Sequence, residues 1–152
     1  MLPLTKELLS SEPEALAKSL SAQETKKSEQ QVTNSQARKF YDDFLLLQKK
    51  ARRCKDEEEF KEKILPLVAF SKAKLAYAVS RSTIKPSFRD ALTAKIDRVE
   101  TRGCLDNFMM FYQALIAYLK YFFMESSSQQ AKWGQGYHQG NFQNRGNNNN
   151  RY

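Results

Sequence analysis

From Phe108 to Met124 the chain is apolar on nearly every side of a helix. Phe108, Tyr112, Leu115, Leu119 and Phe122 share one face, and Met110, Ala114 and Ala117 share another. A helix of this kind must be covered by neighbours, so it belongs at the centre of a bundle. Its small Ala114 and Ala117 face would admit a close neighbour. The run carries Gln113 and Lys120 and falls short of the roughly 20 apolar residues of a membrane span. A chain of 152 residues, 41% of them hydrophobic, can bury one sizeable core around such a helix, which argues for a single domain.

Helical periodicity governs the residues before it, and strand-like alternation never lasts more than a few positions. The expected fold is all-α, a compact single-domain bundle of four to five helices over residues 32–125 with flexible arms at both ends. Thr33 and Gln36 form a capping-box signature, followed by Ala37, Phe40, Phe44, Leu47 and Ala51 at helical spacing, which predicts a helix over residues 33–53. Asp56 and the run Glu57, Glu58 and Glu59 predict a second helix start, because acidic groups are favourable near the positive end of the helix dipole. Pro66 removes a backbone donor and predicts a kink or restart, with helix to about Ser80. Pro86 and Ser87 open another helix, whose stripe of Phe88, Leu92, Ile96 and Val99 should stop at Gly103. Asp106 is the candidate N-cap of the last helix.

The flanks differ in composition. Residues 1–31 are rich in Ser, Gln, Glu and Lys, with only a faint helical pattern in Leu4, Leu8, Leu9, Leu16 and Leu20, and are expected to be a flexible arm. Residues 126–152 are biased to Gly, Asn and Gln and end near the run Asn147 to Asn150, so a disordered tail is expected. Its Trp133, Tyr137, His138, Phe142, Arg145, Arg151 and Tyr152 have the composition of a weak RNA-binding tail and equally of an inert one.

Enzymatic chemistry lacks its parts. The single histidine, His138, lies in the tail, and there is neither a phosphate-binding glycine loop nor metal-ligand spacing, so no cofactor and no metal site are expected. Cys54 and Cys104 are far apart and suit reduced thiols of a cytoplasmic protein. Nothing in Leu2 to Leu9 has the length of a secretory signal, since Lys6 and Glu7 interrupt it.

The net charge of +8 points to a polyanionic partner. Residues 1–31 hold four Lys against five Glu, residues 32–125 hold 18 basic against 12 acidic residues, and the tail holds three basic and no acidic residues. On the first predicted helix, Arg38, Lys49, Arg52 and Arg53 lie opposite the apolar stripe with Lys39 nearby, a cationic face about 20 Å long. A solvated face and a binding face fit this pattern equally. Leu45 and Leu46 fall on the same outward side, which suits contact with another copy of the chain or cover by a further helix.

After Pro66, Phe70, Lys74, Tyr77 and Arg81 recur on one face opposite Val68, Leu75 and Val79. Aromatic groups interleaved with cations can stack on bases or riboses and pair with phosphates. Alternatively, Phe70 and Tyr77 enter the core while Lys74 and Arg81 reach past them to water, the favoured reading for the aromatics. Arg81, near a helix end, suits a phosphate. Lys95, Arg98 and Arg102 flank one side of the next stripe and Asp90, Asp97 and Glu100 the other, which fits either oriented contacts or surface ion pairs.

Three phrases carry a family resemblance: Ser35-Gln-Ala-Arg-Lys-Phe-Tyr41, then Ile64-Leu-Pro66 leading into Lys74-Leu-Ala-Tyr-Ala78 with Arg81, and finally Ala114-Leu-Ile-Ala-Tyr118. In this order, over residues 32–124, the chain resembles the small helical subunit of type III-A (Csm-type) CRISPR effector complexes. The resemblance implies a non-catalytic cytoplasmic protein in antiviral defence. Several copies would stack as a filament beside the backbone subunits and the large subunit, binding the guide RNA and target RNA through phosphates and riboses, with no membrane partner. The phosphate contacts expected are Arg38, Lys39, Arg52, Arg53, Lys74 and Arg81, then Lys49, Lys85 and Arg98, with Leu45 and Leu46 as the subunit contact. The long arm before Thr33 and the Asn-rich tail depart from the family pattern. Competing readings are the small subunit of the related type III-B complexes, a helical protein adaptor with incidental charge, and a basic bundle on anionic membrane.

Overall fold

The computed structural model describes residues 1–134, and side chains to residue 125. Within them the regular structure is all helical, in the order α1 (Lys6–Leu9), α2 (Ser11–Gln23), α3 (Lys27–Ala51), α4 (Glu57–Lys63), α5 (Leu65–Ser80), α6 (Pro86–Ile96) and α7 (Arg102–Gly134). Among the described residues, two of these helices, α1 and α4, are short, so the all-α bundle rests on five longer ones. The expected tail from residue 135, with Tyr137, His138, Phe142, Arg145, Arg151 and Tyr152, lies outside the described residues.

The apolar α7 is the axis, with α2 and α3 packed along it. Phe108, Phe111, Tyr112, Leu115 and Leu119 are buried almost completely, together with Phe44 of α3, Phe60 of α4, Leu75 of α5 and Phe88 and Leu92 of α6. Phe44 meets Phe108 edge to face at 4.8 Å between ring centres, and Phe108 stacks on Tyr112 at 5.9 Å. Such pairs add roughly 0.5–1.5 kcal/mol each beyond their buried area. The Tyr112 hydroxyl donates to the Ala37 carbonyl at 2.7 Å, which ties α7 to α3. Burial pushes the Tyr112 hydroxyl well above the usual tyrosine range.

Local rules place most boundaries. Asp56 caps α4 by accepting from the Glu59 amide at 2.9 Å, with Glu57, Glu58 and Glu59 in the first turn. The chain restarts at Leu65 and Pro66, and Pro86 opens α6, where a missing N–H costs nothing. At the end of α5, Ser82 takes a left-handed φ of 56°. The Ser82 and Thr83 amides turn back to the carbonyls of Val79 and Ala78 at 2.9 and 3.0 Å. This is a Schellman close in a position that normally favours glycine.

Four expectations need correction. Residues 1–31 are not an unstructured arm: Leu2, Leu8, Ala17 and Leu20 are buried in the common core, and α2 lies along α7. Its inward stripe includes Pro13 and Ala17 beside the leucines, too thin a signal alone, yet α7 is apolar on so many sides that it needs this extra cover. Thr33 does not cap α3, which starts at Lys27 and carries Thr33 buried in its second turn. Neither Gly103 nor Asp106 bounds a helix: both lie inside α7, Thr101 accepts from the Cys104 amide at 3.2 Å, and Asp106 instead accepts from Gln48 at 2.5 Å. Finally, α7 continues to Gly134, since Ser126 to Lys132 contains no Pro or Gly to stop an established helix.

Cover of α7 is also incomplete. Met110, Tyr121 and Met124 are exposed at 38%, 59% and 65%, with Ala117 between them, so one apolar stripe of the central helix faces outward.

Candidate nucleic-acid interface

α3 turns Phe40 and Phe44 inward, which forces the residues half a turn away outward. Arg38, Lys39, Lys49, Arg52 and Arg53 are all exposed, and none makes an ion pair within the described residues. The cationic outer face read from the wheel is therefore present.

α5 buries Val68, Ser71, Leu75 and Ala78. Its opposite face carries Phe70 and Tyr77, exposed at 59% and 62%. The reading that sent both aromatics into the core is overturned: α7, α3 and α6 already fill that core, leaving these rings in water.

Between α3 and α5 lies a groove of about 500 Å³ that collects Gln36, Lys39, Phe40 and Asp43 from α3 and Lys74, Tyr77 and Ala78 from α5, with the C-cap Arg81 and Thr83 beyond. Lys74 pairs with Asp43 at 3.2 Å. The Arg81 guanidinium lies 5.7 Å from the centre of the Tyr77 ring and donates to its hydroxyl at 3.1 Å. The Schellman turn at Ser82 fixes where Arg81 and Thr83 leave the helix. The groove thus joins four residues singled out from the sequence, Lys39, Lys74, Tyr77 and Arg81. Gln36 and Asp43 were missed, because only the α3–α5 packing turns them toward the same space.

The remaining residues scatter. Arg38 lies on the other flank of α3, in a hollow of about 250 Å³ with Asn34, Ser35, Ile116 and Lys120. Arg52 sits beside Gln48, Arg102 and Asp106 at the far end of α3. Lys85 is half-buried and shares a hollow with Glu24 and Glu29. The Arg98 Nε donates to the Met1 carbonyl at 3.3 Å, far from the groove in chain order. Leu46 is 57% exposed, whereas Leu45 packs against the core.

The flank of Lys95, Arg98 and Arg102 holds the chain to itself. Lys95 pairs with Glu12 of α2 and lies 5.1 Å from the centre of the Phe111 ring. Arg102 donates through Nε to Glu57 at 3.0 Å and through Nη1 to the Cys54 carbonyl at 2.9 Å, while its own amide donates to Glu57 at 3.1 Å. Glu57 therefore caps the start of α7, and the backbone hydrogen bond from Arg102, more than its guanidinium, holds the carboxyl below the ordinary value of 4.5.

Among the described residues no group of three or more His, Cys, Asp or Glu side chains could hold a metal ion, and no helix is long and apolar enough to cross a membrane. Cys54 and Cys104 are buried and unpaired.

A model of the Csm2 family of type III-A systems matches residues 8–125. The chain belongs to the Csm2 type III-A family. It is thus a Csm2-type small subunit of a type III-A CRISPR complex, which sets aside the type III-B reading. The match includes α2 and the start of α3, so residues 8–32, which the sequence reading set apart from the family pattern, lie within the matched region. Neither a curated protein nor a solved structure matches the chain.

Proposed function

We propose that this Csm2-family chain is a non-catalytic, cytoplasmic subunit that stacks in several copies and binds the backbone of the guide and target RNA. The observation that carries the reading is the outward, unpaired cationic face of α3 next to the α3–α5 groove, in contrast to Lys95, Arg98 and Arg102, which bind their own chain. Phosphates attract such groups without regard to sequence, which suits a subunit whose sequence selection comes from guide pairing. Lys39, Lys74 and Arg81 form the centre of the contact, Arg52, Arg53 and Lys49 extend it along α3, and Arg38 reaches the α7 side. Lys85 and Arg98 stand apart and contribute least. The exposed Leu46 and the outward stripe of Met110, Tyr121 and Met124 supply apolar surface for neighbouring copies or for the backbone and large subunits.

The test is binding of RNA to the purified chain across a salt series, with and without Lys39→Glu combined with Arg81→Glu. Affinity should fall linearly on a log-log plot against salt. The double reversal should weaken binding about 10- to 100-fold at low salt, with helical content and melting unchanged. Binding that ignores both salt and the reversal would leave a protein adaptor as the better reading.

A further inference from the structure

We infer that the α3–α5 groove holds one unpaired RNA nucleotide, its base against Tyr77 and its phosphate toward Arg81 and Lys39. The inference rests on the RNA-binding reading and narrows it, since a surface for backbone alone needs neither a cavity nor an exposed ring.

Three features of the groove point to a nucleotide. Its volume of about 500 Å³ lies in the range of clefts that take a small-molecule-sized group. Tyr77, 62% exposed, offers a ring on which a flat heterocycle can stack, beside a groove whose mostly polar lining residues also include Phe40 and Ala78. The charges are also sorted along the groove. Asp43 is the last lining residue of α3 and Lys74 the first of α5, and their ion pair at 3.2 Å marks one end, while Gln36, Arg81 and Thr83 line the other. A carboxylate repels phosphate, and the cation beside it is already neutralised. The phosphate is therefore directed to the Arg81 end, and the uncharged base is left with the middle.

Arg81 supports the stacking as well as the charge. Its hydrogen bond to the Tyr77 hydroxyl at 3.1 Å holds the ring in place before any ligand arrives. Such pre-ordering reduces the entropy lost on binding. In an A-form duplex the bases are stacked on one another and cannot lie on a protein ring, so the groove serves unpaired or flipped-out nucleotides.

The experiment compares a short single-stranded RNA with its duplex, using the full chain, Tyr77→Ala and Tyr77→Phe. Because Tyr77 is exposed, neither substitution should alter helical content, which circular dichroism checks. Tyr77→Ala should weaken single-strand binding about tenfold or more, the scale of one lost base stack, and should leave duplex binding within about twofold. Tyr77→Phe, which keeps the ring, should retain most of the single-strand affinity. Salt-dependent binding that is equal for the two RNAs and indifferent to Tyr77→Ala would overturn the nucleotide site and leave the phosphate-binding reading standing. Absence of salt-dependent RNA binding in the unsubstituted chain would overturn both.

Discussion

Two groups of cations that look alike in the sequence end in different situations. At the α6–α7 corner, Lys95 reaches Glu12, Arg98 the Met1 carbonyl, and Arg102 both Glu57 and the Cys54 carbonyl. On α3 and the turn after it, Lys39, Lys49, Arg52 and Arg53 are exposed without an ion pair among the described residues, and the side chain of Arg81, at the C-cap of α5, bonds only the neutral Tyr77 hydroxyl. The first group joins helices that are distant in sequence. The second leaves its field in solvent, where a polyanion can meet it. Net charge alone, +8 here, does not separate the two; the partners do.

Substitutions can break this contrast in either direction. Arg102→Ala should have the largest effect on the fold, because it removes two hydrogen bonds to one guanidinium at the start of α7 and leaves Glu57 with only the Arg102 amide. A loss of about 1–2 kcal/mol is expected, reduced from the buried-site range because both side chains are partly exposed. Chemical denaturation would measure it, and RNA affinity should stay within about twofold. If RNA affinity fell much further than stability, Arg102 would belong with the α3 group and the contrast would fail.

Lys95→Ala should cost less, about 0.5–1 kcal/mol, since it removes one ion pair to α2 and a cation contact to the Phe111 ring. The change should appear first as faster hydrogen exchange in α2, the helix that the pair holds. Unchanged exchange there would mean that apolar contacts alone dock α2.

The smallest effect is a pH dependence. Arg102 holds the folded-state pKa of Glu57 below its ordinary value of 4.5, so the carboxylate stays charged further into acid in the folded chain than in the unfolded one. Its contribution is complete above that ordinary value and is lost as pH falls through the depressed one. Glu59, held down mainly by its hydrogen bond to Lys63, shares this window. Melting temperature followed from neutral pH into acid should therefore fall, and Glu57→Gln should flatten the curve in part. An acid limb of unchanged steepness in Glu57→Gln would place the linkage elsewhere.

How far each feature could be read depended on the range of the forces behind it. The start of α4 at Asp56, the restart at Pro66 and the entry at Pro86 follow from a cap or a ring acting within one turn, and all were legible. The inward stripe of Phe40 and Phe44 was legible too, since periodicity alone places it. Docking of residues 2–23 was not, because Leu2, Leu8, Ala17 and Leu20 make a weak pattern whose burial depends on what α7 lacks elsewhere. The candidate site was half legible. Lys39, Lys74 and Arg81 stood out by type and spacing, whereas Asp43 and Gln36 joined them only through the packing of α3 on α5.

The sequence by itself determined that the chain is helical, that α7 is its axis, and which residues carry positive charge. Those properties reside in periodicity, in proline and capping chemistry, and in side-chain charge, and each acts over a few residues. The tertiary structure decided which cations remain outward, that Phe70 and Tyr77 stay in water, and that α2 completes the cover of α7. Burial and ion pairing depend on neighbours up to a hundred residues away along the chain, as the Arg98 contact with Met1 illustrates, and a local pattern carries no information about them.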